Sequence, residues 1–212
     1  MTHRLPSRLY AIADPDAARR DVVEVVEELL AGGAALIQIR CKTLPTGDFV
    51  DAAVRCRAST RARGAVLIVN DRVDVAMACD ADGVHLGQSD LPPGIARRLL
   101  GAGRWIGVST HDPEQARAAV EAGADYIGFG PIVTTRTKDT GYTARGLDAL
   151  RIVRQSVEVP IVAIGGITPD NAAGVLDAGA DAVAMISALV SSGSTRERVR
   201  SILARLEPAP LP

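Results

Sequence analysis

Aromatic side chains are scarce in this chain of 212 residues, where Phe, Tyr and Trp together make up 3%. Proteins that hold single-stranded nucleic acid stack its bases on aromatic platforms, so that mode of binding is disfavoured. A basic stripe is missing too. The formal net charge is −1, whereas a nucleic-acid backbone calls for a concentrated positive surface. No apolar run is long enough to span a bilayer, and the N-terminal MTHRLPSRLY has no apolar signal region. Nucleic acid and membrane are therefore not expected partners, and the cytoplasm is the expected compartment. Cys41, Cys56 and Cys79 are odd in number and form no Cys-x-x-Cys pair, which points to neither a disulfide framework nor a zinc site.

Lysine is the other scarcity. Of 24 basic residues only Lys42 and Lys138 are lysine. Lysine is a compact, strongly hydrated point charge and arginine a wide planar fork. The two retained lysines therefore suggest places where a point charge meets phosphate oxygens. Each lies in a polar burst behind an apolar run: Gln38, Arg40 and Lys42 in one, Thr135, Thr137 and Lys138 behind YIGFGPIV in the other. The plainer reading is chance survival on a solvated surface.

What the chain has is apolar bulk, 47%, supplied mainly by Ala, Val, Leu and Ile. Short Val- and Ile-rich runs alternate with longer runs at helical period. Strands are predicted at about 8–13, 35–40, 66–69, 83–86, 105–109, 125–129, 160–164 and 181–186, and helices at about 17–31, 47–62, 72–79, 92–100, 113–122, 147–156, 170–178 and 195–206. Gly32-Gly33, Gly123 and Gly179 mark helix ends. Asp112-Pro113 and Thr168-Pro169 mark helix starts. Eight βα units without a break in composition predict one domain over residues 1–212, a (β/α)8 TIM barrel, with a frayed tail at 207–212. An open doubly wound sheet is the competing architecture. It is weakened by the lack of Gly-x-Gly-x-x-Gly after the first strand.

In such a barrel the loops after the strands carry chemistry. Polar residues fall there: Arg40 and Lys42, Asn70 and Asp71, Gln88 and Asp90, Ser109 to His111, Thr135 to Lys138, Gly165-Gly166, and Ser187. Strand alternation places Gln38, Arg40 and Lys42 on one face. Buried cations need partners, and a phosphate, Asp71 or Asp90 would each serve. Asp71 and Asp90 suit Mg²⁺, which takes one or two carboxylates plus phosphate oxygens and water; the alternatives are a helix cap and a turn residue. Gly165-Gly166 suits close backbone approach to a phosphate, or is a plain tight turn. His85 and His111 are candidate general bases or simply hydrogen-bonded structural residues. The Gly-containing loop at 134–146 is a candidate lid.

Taken in order, the stretches IQIRCK, VNDRVDVA, ADGVHLGQSDLP, GVSTHDPEQA, DYIGFGPIVTTRTK, VPIVAIGGIT and AMISAL resemble the thiamine-phosphate synthase and thiazole tautomerase family across most of the chain. The resemblance implies a transferase that joins a hydroxymethylpyrimidine diphosphate to a hydroxyethylthiazole phosphate and releases diphosphate. It also implies a dissociative reaction, in which the C–O bond breaks before the thiazole nitrogen captures the pyrimidine-stabilised cation. By the family pattern Asp71 and Asp90 hold Mg²⁺. Arg40, Lys42, Asn70, Ser109 and Lys138 bind the diphosphate, and Gln38 seats the pyrimidine. Thr135, Thr137, Gly166, Ile186 and Ser187 hold the thiazole phosphate, with Gly165 shaping that loop. The implied partners are small phosphorylated molecules. Two departures stand out. Cys41 replaces a residue that is usually acidic and is expected to point away from Arg40. The segment 139–150 resembles the tautomerase in part. That activity, with His111 moving a proton, and a silent barrel that binds thiazole phosphate are the alternative functions.

Overall fold

The computed structural model of the protein describes residues 4–134, 143–191 and 193–206. Eight parallel strands close on themselves in chain order: β1 (Leu9–Ala13), β2 (Leu36–Ile39), β3 (Val66–Asn70), β4 (Gly83–Leu86), β5 (Trp105–Thr110), β6 (Tyr126–Phe129), β7 (Ile161–Ala163) and β8 (Ala182–Met185). This is the (β/α)8 barrel that the alternation of apolar runs predicts, and no open sheet edge remains. The helices around it are α1 (Pro15–Ala18), α2 (Val22–Ala31), α3 (Thr46–Ala62), α4 (Val73–Ala78), α5 (Pro93–Leu100), α6 (Pro113–Glu121), α7 (Gly146–Ser156), α8 (Ala172–Asp177), α9 (Ser187–Val190) and α10 (Thr195–Leu206).

Three local predictions need correction. The single helix expected at 17–31 is two. Arg19 turns left-handed (φ 52°) and ends α1, and Asp21 starts α2 by accepting from the Val23 N–H at 2.9 Å. Thr168-Pro169 does not open α8, which begins three residues after Pro169. There the Asn171 side chain folds back to accept from the Thr168 N–H at 2.9 Å, closing a turn first. The short α9 was not foreseen, because four residues are too few to show a helical period. At Asp112-Pro113 the cap is as expected, with the carboxylate accepting from the Gln115 N–H at 2.8 Å.

Strand alternation divides the core in two. Leu9, Ala11, Ile37, Ile39, Leu67, Val69 and their equivalents lie between strands and helices. Tyr10, Ile12, Leu36, Ile68, Tyr126, Val162, Ala182 and Ala184 fill the barrel interior. Tyr10, Tyr126 and Trp105 meet there, while Phe49 and Phe129 pack in the outer layer. Space for Tyr126 comes from a glycine on the neighbouring strand: a Cβ on Gly107 would stand 2.1 Å from the Tyr126 ring.

The N-terminal end of the barrel carries a repeated device. Asp82, Asp125 and Asp181 directly precede β4, β6 and β8. Each carboxylate accepts from the N–H of the first or second residue of the preceding strand: Leu67 at 2.8 Å, Ile106 at 2.7 Å and Ile161 at 2.8 Å. Each backbone N–H returns a bond to the carbonyl of that same residue. Each carboxylate also takes an arginine from the helix before that strand pair: Arg57 of α3 at 2.7 Å, Arg97 of α5 at 2.6 Å and Arg154 of α7 at 3.0 Å. Every second strand is thus tied to its neighbour and to a helix. The pattern lapses at β2, where Ala35 takes the aspartate's place and the Leu9 N–H bonds to the Ser7 hydroxyl at 3.0 Å instead.

Candidate active site

At the opposite end, β2 stops at Ile39, so alternation cannot be carried through to Arg40 and Lys42 as the spacing suggested. One further ladder bond, from the Arg40 N–H to the Ala13 carbonyl at 2.9 Å, holds the chain on course. The Arg40 guanidinium then turns to Asp14, 2.5 Å away, rather than to Asp71 or Asp90. Asp14 is 3% exposed and also caps α1 by accepting from the Ala17 N–H at 3.0 Å. In the sequence Asp14 reads as an ordinary cap before a proline. Cys41 points into the layer between strands and helices, away from Arg40 as expected. Burial there pushes its thiol up to about 12.

Lys42 bonds instead to Asp71. Asp71 is not a helix opener, since α4 begins at Val73. It holds a left-handed backbone (φ 62°), fixed by its N–H donating to the His85 carbonyl at 2.8 Å. An aspartate tolerates that conformation at a cost of about 1 kcal/mol, and the strain is stored where the chain leaves β3. The turn brings its carboxyl beside that of Asp90. Burial, and then this carboxyl neighbour, push Asp90 above the usual carboxylate range, while the Gly87 N–H, donating at 2.7 Å, pulls the other way. Two carboxyl groups so close cannot both ionise freely without a cation or a proton between them. The pair with Lys42 therefore offers oxygens for a cation beside a positive charge. Among the described residues no set of three or more His, Cys, Asp or Glu completes an all-protein cage. A pair of carboxylates fits a hard ion such as Mg²⁺, which draws its other ligands from water and phosphate.

Between these clusters and the far wall lies a cavity of about 400 Å³. Gln38, Arg40, Asn70, Ser109, Gly165, Gly166, Ile186 and Ser187 line it, together with His85 and His111. Lys42, Asp71 and Asp90 stand outside that lining, on the loops that follow its residues Arg40, Asn70 and His85. The two glycines are left-handed (φ 95° and 65°), and each has a reason beyond a ligand. A Cβ on Gly165 would fall 2.5 Å from the Pro131 side chain, and one on Gly166 would fall 2.7 Å from that of Val133. The close approach is to the loop after β6, which is stitched on by the Val133 N–H to Gly165 carbonyl bond at 3.0 Å. Ile186 precedes α9 and Ser187 opens it. The His111 ring bonds to the Gly130 carbonyl at 2.6 Å through Nδ1. Thr135, Thr137 and Lys138, with most of the lid candidate, lie outside the described residues, as does the tail at 207–212.

The floor of the cavity holds what sequence reading did not assemble. Gln38 Nε2 donates to the Tyr10 hydroxyl at 2.9 Å, and Tyr10 meets the Tyr126 hydroxyl at 2.8 Å. Tyr126 meets His85 Nδ1 at 3.1 Å, and His85 Nε2 meets Ser109 Oγ at 2.9 Å. Five polar side chains from β1, β2, β4, β5 and β6 thus cross the interior in one line. Only the inward parity of Gln38, Tyr10, His85, Ser109 and Tyr126 on their strands signals it in the sequence.

A barrel with cations, a carboxyl pair and a glycine loop gathered around one mouth is a phosphate-handling (β/α)8 barrel by its chemistry. The sequence pattern of thiamine monophosphate synthase matches residues 9–189. The chain belongs to that family, and so to a family of transferases. It is 46% identical over 205 residues to a thiamine-phosphate synthase of Chloroflexus aurantiacus, covering 96% of this chain and 94% of that protein. It is 47% identical over 189 residues to a thiamine-phosphate synthase of Moorella thermoacetica, covering 88% and 90%. The solved structure of a thiamine phosphate pyrophosphorylase from Pyrococcus furiosus superposes with a TM-score of 0.84 at 40% identity, over 94% of this chain and 97% of that one.

Proposed function

We propose that this barrel condenses 4-amino-5-hydroxymethyl-2-methylpyrimidine diphosphate with hydroxyethylthiazole phosphate to give thiamine phosphate and diphosphate. In this reading the C–O bond of the pyrimidine diphosphate breaks, its electron pair leaves with the diphosphate, and the thiazole nitrogen attacks the resulting cation. No strong base is required. The protein aligns two partners and neutralises the departing charge. The observation that carries the reading is the Lys42–Asp71–Asp90 cluster next to an Arg40-lined cavity. Isomerising a thiazole has no use for such a cluster; binding a leaving diphosphate does.

Arg40, Lys42, Asn70, Ser109 and Lys138 take the diphosphate oxygens. Asp14 presents Arg40 to them. Gln38 seats the pyrimidine at the floor, and Thr135, Thr137, Gly165, Gly166, Ile186 and Ser187 take the thiazole phosphate. Asp71 and Asp90 hold Mg²⁺, which supplies further charge neutralisation on the leaving group when bound. No described helix is long and apolar enough to cross a membrane. We place the enzyme in the cytoplasm, where its three unpaired, buried cysteines suit a reducing medium. The test is direct: purified protein is incubated with both substrates, with and without Mg²⁺, and thiamine phosphate is measured. Product is expected only with both substrates and the ion. Its absence in the complete mixture refutes the reading.

A further inference from the structure

We infer that His85 is a positioning residue, locked in its Nε2–H tautomer by a one-directional hydrogen-bond chain that starts at Gln38 and leaves the Ser109 hydroxyl hydrogen to donate into the cavity. The direction follows from hydrogen counting. An amide nitrogen only donates, so at 2.9 Å Gln38 Nε2 makes the Tyr10 oxygen an acceptor. The Tyr10 hydroxyl has one hydrogen, and its other partner among the described residues is the Tyr126 oxygen at 2.8 Å. That hydrogen therefore goes to Tyr126. The Tyr126 hydrogen goes to His85 Nδ1 at 3.1 Å, which must be the bare nitrogen. The ring proton then sits on Nε2 and is donated to Ser109 Oγ at 2.9 Å. Ser109 accepts from below and keeps its own hydrogen for the space above.

The chain requires both phenols to keep their protons, and burial raises both tyrosines well above the usual phenol range. Tyr10 and Tyr126 are each 1% exposed and Gln38 is 3% exposed, so water cannot readily substitute in the links from Gln38 through Tyr10 to Tyr126. A carbonyl-first Gln38 would reverse every bond and turn the Ser109 hydrogen down onto His85. Gln38, on β2, is thus the polarity switch for a hydroxyl three strands away on β5. The orientation matters for anion binding: a hydroxyl that donates stabilises negative charge, and one that offers lone pairs repels it. This consequence rests on the reading that Ser109 faces the diphosphate; the tautomer itself does not.

The experiment has two arms. In the first, full-length protein labelled with ¹⁵N is studied by heteronuclear NMR without substrate, because protonated and bare imidazole nitrogens differ widely in shift. His85 is expected to show protonated Nε2 and bare Nδ1 at neutral pH. In Tyr126→Phe it is expected to lose that fixed assignment and average between tautomers. A wild-type His85 protonated on Nδ1, or already averaging, overturns the inference whatever the enzyme catalyses. In the second arm His85→Gln and His85→Leu are compared. The glutamine keeps a nitrogen donor near the Nε2 position. His85→Leu is expected to lose roughly tenfold in kcat with KM little changed, and His85→Gln to recover most of that loss, as removing an interaction made in the transition state predicts. Equal losses in two variants that are both folded by urea titration overturn the positioning role.

Discussion

The three aspartate clasps at the N-terminal end of the barrel predict stability without activity, and Asp125 is the sharpest place to test this. Its carboxylate is the acceptor for the N–H of Ile106, a residue with 0% exposure, and it also holds Arg97 at 2.6 Å. In Asp125→Ala the strand N–H loses its acceptor in a buried position, which costs about 1–3 kcal/mol. Loss of a partly exposed ion pair adds roughly 0.2–1 kcal/mol. The sum, about 1–4 kcal/mol, lowers Tm by about 2–16 °C in a chain of this size, at roughly 2–4 °C per kcal/mol. Asp125→Asn keeps an oxygen for Ile106 and gives up only the charge, so it costs about 1 kcal/mol. Equilibrium urea unfolding followed by both circular dichroism and tryptophan fluorescence reads the difference, with coincident curves required for a two-state treatment. Turnover of both variants at a temperature where they remain folded is expected to stay within about twofold of wild type, since the clasp is at the far end from the cavity. Equal destabilisation by Ala and Asn would show that the carboxylate's bond to the strand N–H is not what the clasp contributes. A turnover loss without a stability loss would refute the separation of the two ends.

Three further outcomes follow from the site and its surroundings. Lys42→Arg and Lys138→Arg retain charge but replace a point donor by a wide fork, so kcat/KM for the pyrimidine diphosphate is expected to fall roughly tenfold, about 1.4 kcal/mol; steady-state kinetics at saturating Mg²⁺ check this. Asp14→Ala strands the Arg40 guanidinium, whose side chain is 16% exposed, and is expected to cost roughly 3–5 kcal/mol in urea unfolding, with most of it regained in Asp14→Leu/Arg40→Met while activity stays lost. The Cys56 thiol is pushed from 9.0 up to about 12, chiefly by burial and secondarily by Cys41. Because the folded value lies above the unfolded one, its contribution to stability is complete below about pH 9 and falls away as pH rises toward 12, so alkaline urea titrations should show declining stability, with less decline in Cys56→Ala.

Much of this was legible because periodicity and punctuation report directly on backbone geometry. Each of the eight strands lies within two residues of its predicted bounds, and Gly33, Gly123 and Gly179 follow helices in the left-handed conformation such endings need. Side-chain partnerships were less legible. Arg40 looked like a partner for Asp71 or Asp90, since all three follow neighbouring strands. Asp14 takes it instead, because β2 lies beside β1 and the loop after β1 passes over the same edge. Gly165-Gly166 was read as room for a ligand, and the close contacts it permits are with Pro131 and Val133. The clasps are half visible: Gly123 and Gly179 before β6 and β8 mark helix ends, but the aspartate two residues further on needs the strand register to show what its carboxylate meets.

The interior of the barrel explains how so few aromatic residues suffice. A closed barrel of eight strands is filled by the inward side chains alone, and here glycine in β4, β5 and β6 leaves space that Tyr126, Trp105 and His85 occupy. Tyr10 and Trp105 both meet Tyr126 edge-on, with ring centroids 6.0 and 6.2 Å apart. Burying Gln38, two phenols and an imidazole would oppose folding if any were left unpaired, and a partly satisfied network is worse than an apolar one. Each link therefore constrains the next, and the floor of the cavity cannot repack one residue at a time. An apolar floor would hold a flat heterocycle by contact alone. This floor also fixes the direction in which its hydrogens point, and that is a property a reaction developing negative charge on one side of the ring can use.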